Sequence, residues 1–360
     1  MPRRDVVVIG GSAGALQVLT TIIGQLPASL DACVLLVVHT RAQSDGVLPD
    51  ILSRPSALPV AFARTHDAVE PGRIYVARPD FHLIATSAGL RLVHGPKENG
   101  FRPAVDPLFR TAAREFGSRV VGVILSGGLS DGTHGLGQIK ARGGVAIVQD
   151  PDEAVIDSMP RAALESVAVD YVLRAGEIAR AIERLTREAV GEEGSNMASK
   201  DPEPQLPSEE TDVASMEERF GLPSSLTCPD CGGALWEIQD GRVTSYQCHV
   251  GHRYASDALE NGMRDVVDGA LWSAVRALEE QAELKRRLAR RTAANGLAHV
   301  SEGFEEAARD AHGQAQTIRS VLFAAGNTAT AGAPGRAKAV VTRRSPVRRN
   351  MARARGKKPR

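Results

Sequence analysis

The sequence predicts an α/β protein: a doubly wound parallel sheet, followed by a small cysteine-rich module and an α-helical hairpin. Three observations predict it. Short β-branched apolar runs alternate with amphipathic stretches over residues 1–190, cysteines and histidines cluster between 228 and 252, and from residue 257 apolar residues recur at three- and four-residue steps. Near-continuous apolar strands suit a sheet covered by helices on both faces, because neither face then meets water.

Strands are expected at 6–9, 33–38, 73–77, 120–125, 145–148 and 169–173, each a short apolar run. The longer crossovers read as helices at 15–23, 107–116, 135–141 and 175–185. Residues 82–93, with Gly89 in the middle, read as an antiparallel hairpin added to the sheet. At 191–215 the composition shifts to Gly, Glu, Ser, Pro and Asp, which marks a disordered linker. Residues 216–256 then form the Cys/His module. Over 257–324, Leu259, Met263, Val267, Leu271, Ala274 and Leu278 make one helical stripe. A break at Asn295 and Gly296 precedes a second helix carrying Phe304, Ala308, Ala311, Ile318 and Leu322, so a helical hairpin or coiled coil is expected. Residues 325–360 lack periodicity and read as a disordered basic tail.

Composition narrows the function. At 360 residues, with 42% hydrophobic and 24% charged, the chain is long enough for two or three domains and has a globular balance. Residues 336–360 hold eleven Lys and Arg and no acid, while the remaining 33 basic residues face 43 acidic ones. The apolar run at 6–9 is too short for an export signal and no stretch of about 18 apolar residues occurs, so a cytoplasmic protein without a membrane span is expected. The basic tail has no interleaved aromatics for base stacking, and nucleic acid is not the expected partner.

Gly10-Gly11-Ser12-Ala13-Gly14 falls where the first strand ends and a helix begins. Glycines keep side chains away from the Ser12 hydroxyl, and the helix offers N–H groups and a positive dipole end to a developing oxyanion. The same segment fits a phosphate loop or a plain N-cap serine. A dinucleotide fingerprint needs Gly where Ser12 stands, and an α/β-hydrolase elbow follows several strands and meets its partners in the order Ser, Asp, His. In a doubly wound sheet, residues past the carboxyl ends of neighbouring strands converge on one crevice. His39 closes the second strand, and Asp131 sits in the glycine-rich loop after the strand at 120–125. Ser12, His39 and Asp131 are therefore the candidate catalytic residues: a hydroxyl needs a base to take its proton, and the imidazole needs a carboxylate to fix its tautomer. His39 also fits a core histidine and Asp131 a helix cap. His134 is the rival base, inside the following helix.

The segments VVVIGGSAGAL, LLVVHT, GRIYVARPDFHL, RPAVDPLF and GVILSGGLSDGTHGL, then QDPDEAV to SMPRAAL, carry a family likeness. Over residues 5–185 the chain resembles the catalytic domain of CheB, the chemotaxis protein-glutamate methylesterases. The resemblance implies a Ser-His-Asp esterase that releases methanol from glutamate methyl esters of chemoreceptors and also deamidates glutamines. It implies Ser12 as nucleophile, His39 as base and acid, and Asp131 as orienter. CheB proteins usually begin with a receiver domain; with the first strand starting at Asp5, a receiver-less form is expected. Gly128 and Ala13 stand where the enterobacterial pattern has Met and Thr.

Cys228-Pro-Asp-Cys231-Gly-Gly, then Cys248-His249-Val-Gly-His252 after a gap of sixteen residues, has zinc-ribbon spacing. Cys228, Cys231, Cys248 and His252 are the candidate ligands of a structural Zn, with His249 expected to point elsewhere and ranked as a fifth candidate. A closed four-ligand shell serves structure, so no cofactor is expected for catalysis. With a linker between them, ribbon and esterase are expected to act independently, and chelation to spare hydrolysis of a small methyl ester. The leading expectation is a protein-glutamate methylesterase whose ribbon and helical hairpin recruit a signalling partner. The alternative is a catalytically inactive CheB-like adaptor that binds partners through ribbon, helices and tail.

Overall fold

The computed structural model describes residues 3–44, 46–190, 217, 220–240 and 243–331. The expected linker at 191–215 and the tail from 332 lie outside the described residues. The chain divides into two units, Met1–Val267 and Asp268–Arg360.

The first unit begins with β1 (Val6–Gly11), α1 (Ala15–Gln25), β2 (Cys33–Val38), α2 (Leu48–Ser53), β3 (Val60–Phe62) and β4 (Ile74–Val76). The hairpin β5 (His82–Thr86) and β6 (Gly89–Val93) follows. Then come α3 (Val105–Phe116), β7 (Val120–Ile124), α4 (Thr133–Ala141), β8 (Val145–Gln149), α5 (Ser158–Ser166), β9 (Tyr171–Leu173) and α6 (Ala175–Arg187). Seven strands pair in the order β3-β4-β2-β1-β7-β8-β9, every pair parallel. Alternate residues face opposite layers: Val7 and Ile9 join Leu19, Ile22 and Ile182 on one side, while Val6 and Val8 join Leu108, Phe109 and Leu136 on the other. Both faces are thus dry, which explains strands without polar alternation. From β1 the chain lays β2 beside it, then β3 at the edge with β4 filling between them, and then crosses to β7 and builds outward on the other side. The β1/β7 border is the topological switch point, where such sheets open a crevice.

The hairpin at 82–93 differs from expectation, because β5 and β6 form their own two-stranded sheet. The edge beyond β4 is taken by β3, and the hairpin instead packs Leu83, Ala85 and Leu90 in the layer of α3, with Ala85 N donating to Thr111 Oγ1 at 3.2 Å.

The same unit contains a second antiparallel sheet, β10 (Leu235–Asp240), β11 (Val243–Cys248) and β12 (Arg253–Ala255), in that order. Its small core is Leu235, Tyr254, Ala258 and Leu259, the last two from the start of α7 (Ser256–Ala294).

In the second unit, α7 and α8 (Ala298–Ala331) run antiparallel. Lys285 Nζ donates to Ala307 O, Ser301 Oγ donates to Ala289 O, and Arg319 pairs with Glu279. Val275, Ala282 and Ala289 on one helix and Ala308, Ala315 and Leu322 on the other are buried at seven-residue steps, the seam of a two-stranded coil. The helix runs on to Ala331, past the expected end at 324. Val267, expected in the stripe, is exposed.

Candidate active site

Ser12 follows β1 directly and stands three residues before the first residue of α1. Its backbone N donates to Ser126 O at 2.9 Å at the end of β7, and its carbonyl accepts from Ala15 N at 3.1 Å. Gly14 caps the helix at φ 84°, a conformation that favours glycine. Gly10 is required by close approach, since a Cβ there would lie 2.2 Å from Val105 Cγ1. Ser126, fully buried, donates its hydroxyl to Ala13 O at 2.8 Å and accepts from Ile156 N at 3.0 Å. The turn that carries Ser12 is thus tied to the neighbouring strand ends.

His39, just past β2, bridges the other two candidates. Its Nδ1 lies 3.1 Å from Ser12 Oγ and its Nε2 lies 2.7 Å from Asp131 Oδ2. With the proton on Nε2, the ring donates to the carboxylate, and the bare Nδ1 can accept the serine proton. Asp131 is 1% exposed and receives three more donors: Val105 N at 2.6 Å on Oδ2, and Asn99 Nδ2 at 2.8 Å and Asp106 N at 3.2 Å on Oδ1. Burial pushes its pKa up, but the hydrogen bond and charge of His39, with the Val105 and Asn99 donors, outweigh that and hold it below the usual carboxylate range. A carboxylate that stays ionised in a dry site is what a transient imidazolium needs.

Three further residues shape the site and were missed by reading the sequence. Glu98-Asn99-Gly100-Phe101 is a tight turn, with Glu98 N donating to Phe101 O at 3.2 Å and Phe101 N to Glu98 O at 2.9 Å. Asn99 at φ 52° and Gly100 at φ 79° give it two left-handed central residues, the type I′ pattern that an Asn-Gly pair favours. That dipeptide was the available signal. The turn lays Phe101 flat on the His39 ring, with centroids 3.7 Å apart, and points the Asn99 amide at Asp131 and Asp106. Asp106 is the third. Burial, then the charge of Asp131, raises its pKa to about 7, so below neutral pH Asp106 holds a proton while Asp131 carries the charge. Glu98 is locked to Arg110 by two 2.8 Å hydrogen bonds.

Cys228, Cys231, Cys248 and His252 converge, their ligating atoms all within 4.8 Å of one another. Cys231 Sγ and Cys248 Sγ are 3.6 Å apart, and Cys248 Sγ is 3.5 Å from His252 Nδ1. A tetrahedral ion with metal–sulfur bonds of about 2.3 Å separates its sulfurs by about 3.8 Å, so the set fits a tetrahedral metal. Gly232 at φ 72° closes the first turn, its N donating to Cys228 O, and Gly251 at φ 101° closes the second. His249 is outside the group. The module does not lie apart from the α/β domain: Arg253 O accepts from Asn99 N at 2.7 Å, Ala255 N donates to Asn99 Oδ1 at 2.7 Å, and Ser130 Oγ donates to Asp257 Oδ1 at 2.5 Å. His134, the rival base, is buried on α4 with its Nε2 3.5 Å from Arg253.

Residues 7–182 match the family model for CheB methylesterase. A Leptospira interrogans protein whose name pairs protein-glutamate methylesterase with protein-glutamine glutaminase is 39% identical over 182 residues, which cover 50% of this chain and 94% of that one. A Pyrococcus abyssi protein of the same naming is 39% identical over 188 residues, 51% of each chain. The solved Thermotoga maritima CheB methylesterase catalytic domain is 34% identical, with a TM-score of 0.49, over 51% of this chain and all of that one. The likeness to the Leptospira protein spans nearly that whole protein, and the family match covers the stretch that holds Ser12, His39 and Asp131; this chain belongs to the CheB methylesterase family.

Proposed function

We propose that this chain is a protein-glutamate methylesterase that acts through Ser12, His39 and Asp131. The observation that carries it is His39 standing between a strand-end serine at 3.1 Å and a buried, ionised carboxylate at 2.7 Å. Ser12 Oγ attacks the carbonyl carbon of a glutamate methyl ester as His39 Nδ1 takes its proton. The tetrahedral oxyanion forms beside the positive end of α1. Collapse breaks the C–O bond, and His39 returns the proton to leaving methanol. Water, deprotonated by the same nitrogen, then hydrolyses the glutamyl-serine ester and frees the carboxylate. With a glutamine side chain the leaving group is ammonia, so one machinery serves deamidation too.

The names of the relatives support this substrate, and an open groove of about 650 Å³ beside Ser12, edged by Arg41 and Lys97 and by Arg102 paired with Asp80, leaves room for a receptor segment that carries glutamates. Such receptor segments are cytoplasmic, which is the compartment this reading assigns. Among the described residues, no helix is long and apolar enough to cross a membrane. The Cys228, Cys231, Cys248 and His252 set holds a structural Zn in this reading, and the α7/α8 hairpin recruits a signalling partner. The test is methanol release from methylated receptor fragments. The parent should turn over and Ser12→Ala should not; equal release from both would end this reading.

A further inference from the structure

A ribbon strand lies along the turn that holds Asn99 and Phe101. Arg253 of β12 bridges Glu98 in parallel, Asn99 N donates to Arg253 O at 2.7 Å, and Arg253 N donates to Lys97 O at 3.4 Å. Leu129, two residues before Asp131 and at φ 62°, packs against the ribbon core. The turn that orients Asp131 and the loop that carries it therefore both have the ribbon on their other side.

The decisive atom pair is Ala255 N and Asn99 Oδ1, 2.7 Å apart. Asn99 is 4% exposed, and its amide is committed at both ends: Nδ2 donates to Asp131 Oδ1 at 2.8 Å and to Asp106 Oδ2 at 3.1 Å, while Oδ1 accepts from the ribbon. The two ends of an amide are nearly the same shape, so hydrogen bonding alone decides which way it faces. Turned over, Asn99 would aim its oxygen at two acids. The ribbon N–H forbids that, because it needs the oxygen. Ala255 pairs with Ser245 in the β11/β12 ladder, but its own N–H points out of the ladder to Asn99.

We propose that the ribbon positions the orienting carboxylate: by donating Ala255 N–H to Asn99 Oδ1, it holds the amide N–H groups on Asp131 and Asp106, so turnover at Ser12 depends on a docked ribbon. Asn99 is a positioning residue, acting through Asp131 on His39. This inference rests on the Ser-His-Asp reading above.

The test uses the full chain and a small methyl ester, with Ser12→Ala as the control for that reading. Asn99→Gly removes the amide while keeping a residue that favours positive φ, and Ala255→Pro removes the ribbon donor at the end of an edge strand. Asn99→Gly should lower kcat by about 10- to 100-fold, and Ala255→Pro by about tenfold, with KM changed less than twofold. The double variant should be no slower than Asn99→Gly alone, because both changes break one chain of contacts. The acid limb of the kcat/KM profile should also move to higher pH in Asn99→Gly, since Asp131 loses a donor that favours its charged form. The titrating groups facing this seam are Asp131, Asp106, His39, Glu98 and His134. In a second arm, chelator is added and zinc content is followed: metal loss should slow the parent by the Ala255→Pro factor and leave Asn99→Gly unchanged. Parental kcat in Ala255→Pro, additive effects in the double variant, or full activity after metal loss would each overturn the inference. Ser12-independent turnover would instead overturn the reading beneath it.

Discussion

The imidazole of His39 lies flat on the ring of Phe101, with centroids 3.7 Å apart and planes 10° from parallel. Stacking fixes the plane of the ring, while Ser12 and Asp131 fix its rotation within that plane. The first prediction concerns this contact. Phe101→Leu keeps an apolar neighbour but removes the flat face, so kcat should fall about tenfold as the ring tilts away from the hydroxyl. Steady-state kinetics on a methyl ester check it; an unchanged kcat would mean the two hydrogen bonds suffice to hold the ring.

Asp131→Asn should slow turnover by roughly 10³ to 10⁴, because the imidazole then settles in the tautomer with its proton toward Ser12. It should also cost stability. Every group around the carboxylate is a donor: His39 Nε2, Val105 N, Asn99 Nδ2 and Asp106 N. Even with the imidazole turned to accept from the amide NH₂, Val105 N still meets that NH₂ donor to donor, and an unmatched buried donor costs about 1–3 kcal/mol. Denaturant unfolding beside single-turnover kinetics separates the two effects, and a variant as stable as the parent would show that the site relaxes around the amide.

How much of this was legible in the sequence follows from where the information lies. Ser12, His39 and Asp131 sit just past three apolar runs, and parallel topology alone brings such strand ends together, so their meeting could be argued from pattern. Short elements carried too little pattern. Val60–Phe62 is a three-residue edge strand without a buried residue, and Leu48–Ser53 is barely more than a turn of helix. The Asn99-Gly100 signal was present and local. What it serves was not, because the contact from Asn99 to Ala255 spans 156 residues and crosses the linker. Nothing in the composition of a small metal module says which surface it will lie against.

One Zn per chain is expected in metal analysis of the purified protein. Cys231→Ser should lose it, and His249→Ala should keep it, since His249 lies outside the converging set. Metal loss should also melt the β10–β12 sheet, whose buried core of a few residues is too small to fold unaided. Zinc retained in Cys231→Ser would break the proposed ligand set, and loss in His249→Ala would add a member to it.

The last prediction concerns Asp106 and its dependence on pH. Its folded pKa of about 7 stands well above its ordinary 3.8, raised first by burial and then by the charge of Asp131. Between those two values the folded protein keeps a proton that the unfolded chain has released. Linkage then gives the sign: this group's contribution is fully present below the unfolded value and is lost as pH rises toward 7. Asp131 has the opposite sign, because its folded pKa is lowered, and its contribution fades only at more acidic pH. In Asp106→Asn the first slope should vanish. The new amide must set its NH₂ against either the Asn99 amide or Gly135 N, donor to donor, and costs stability at every pH, but a constant cost leaves the slope untouched. Urea midpoints from pH 5 to 7.5 should therefore fall more steeply in the parent than in Asp106→Asn. Parallel curves would mean that Asp106 is ionised throughout this range.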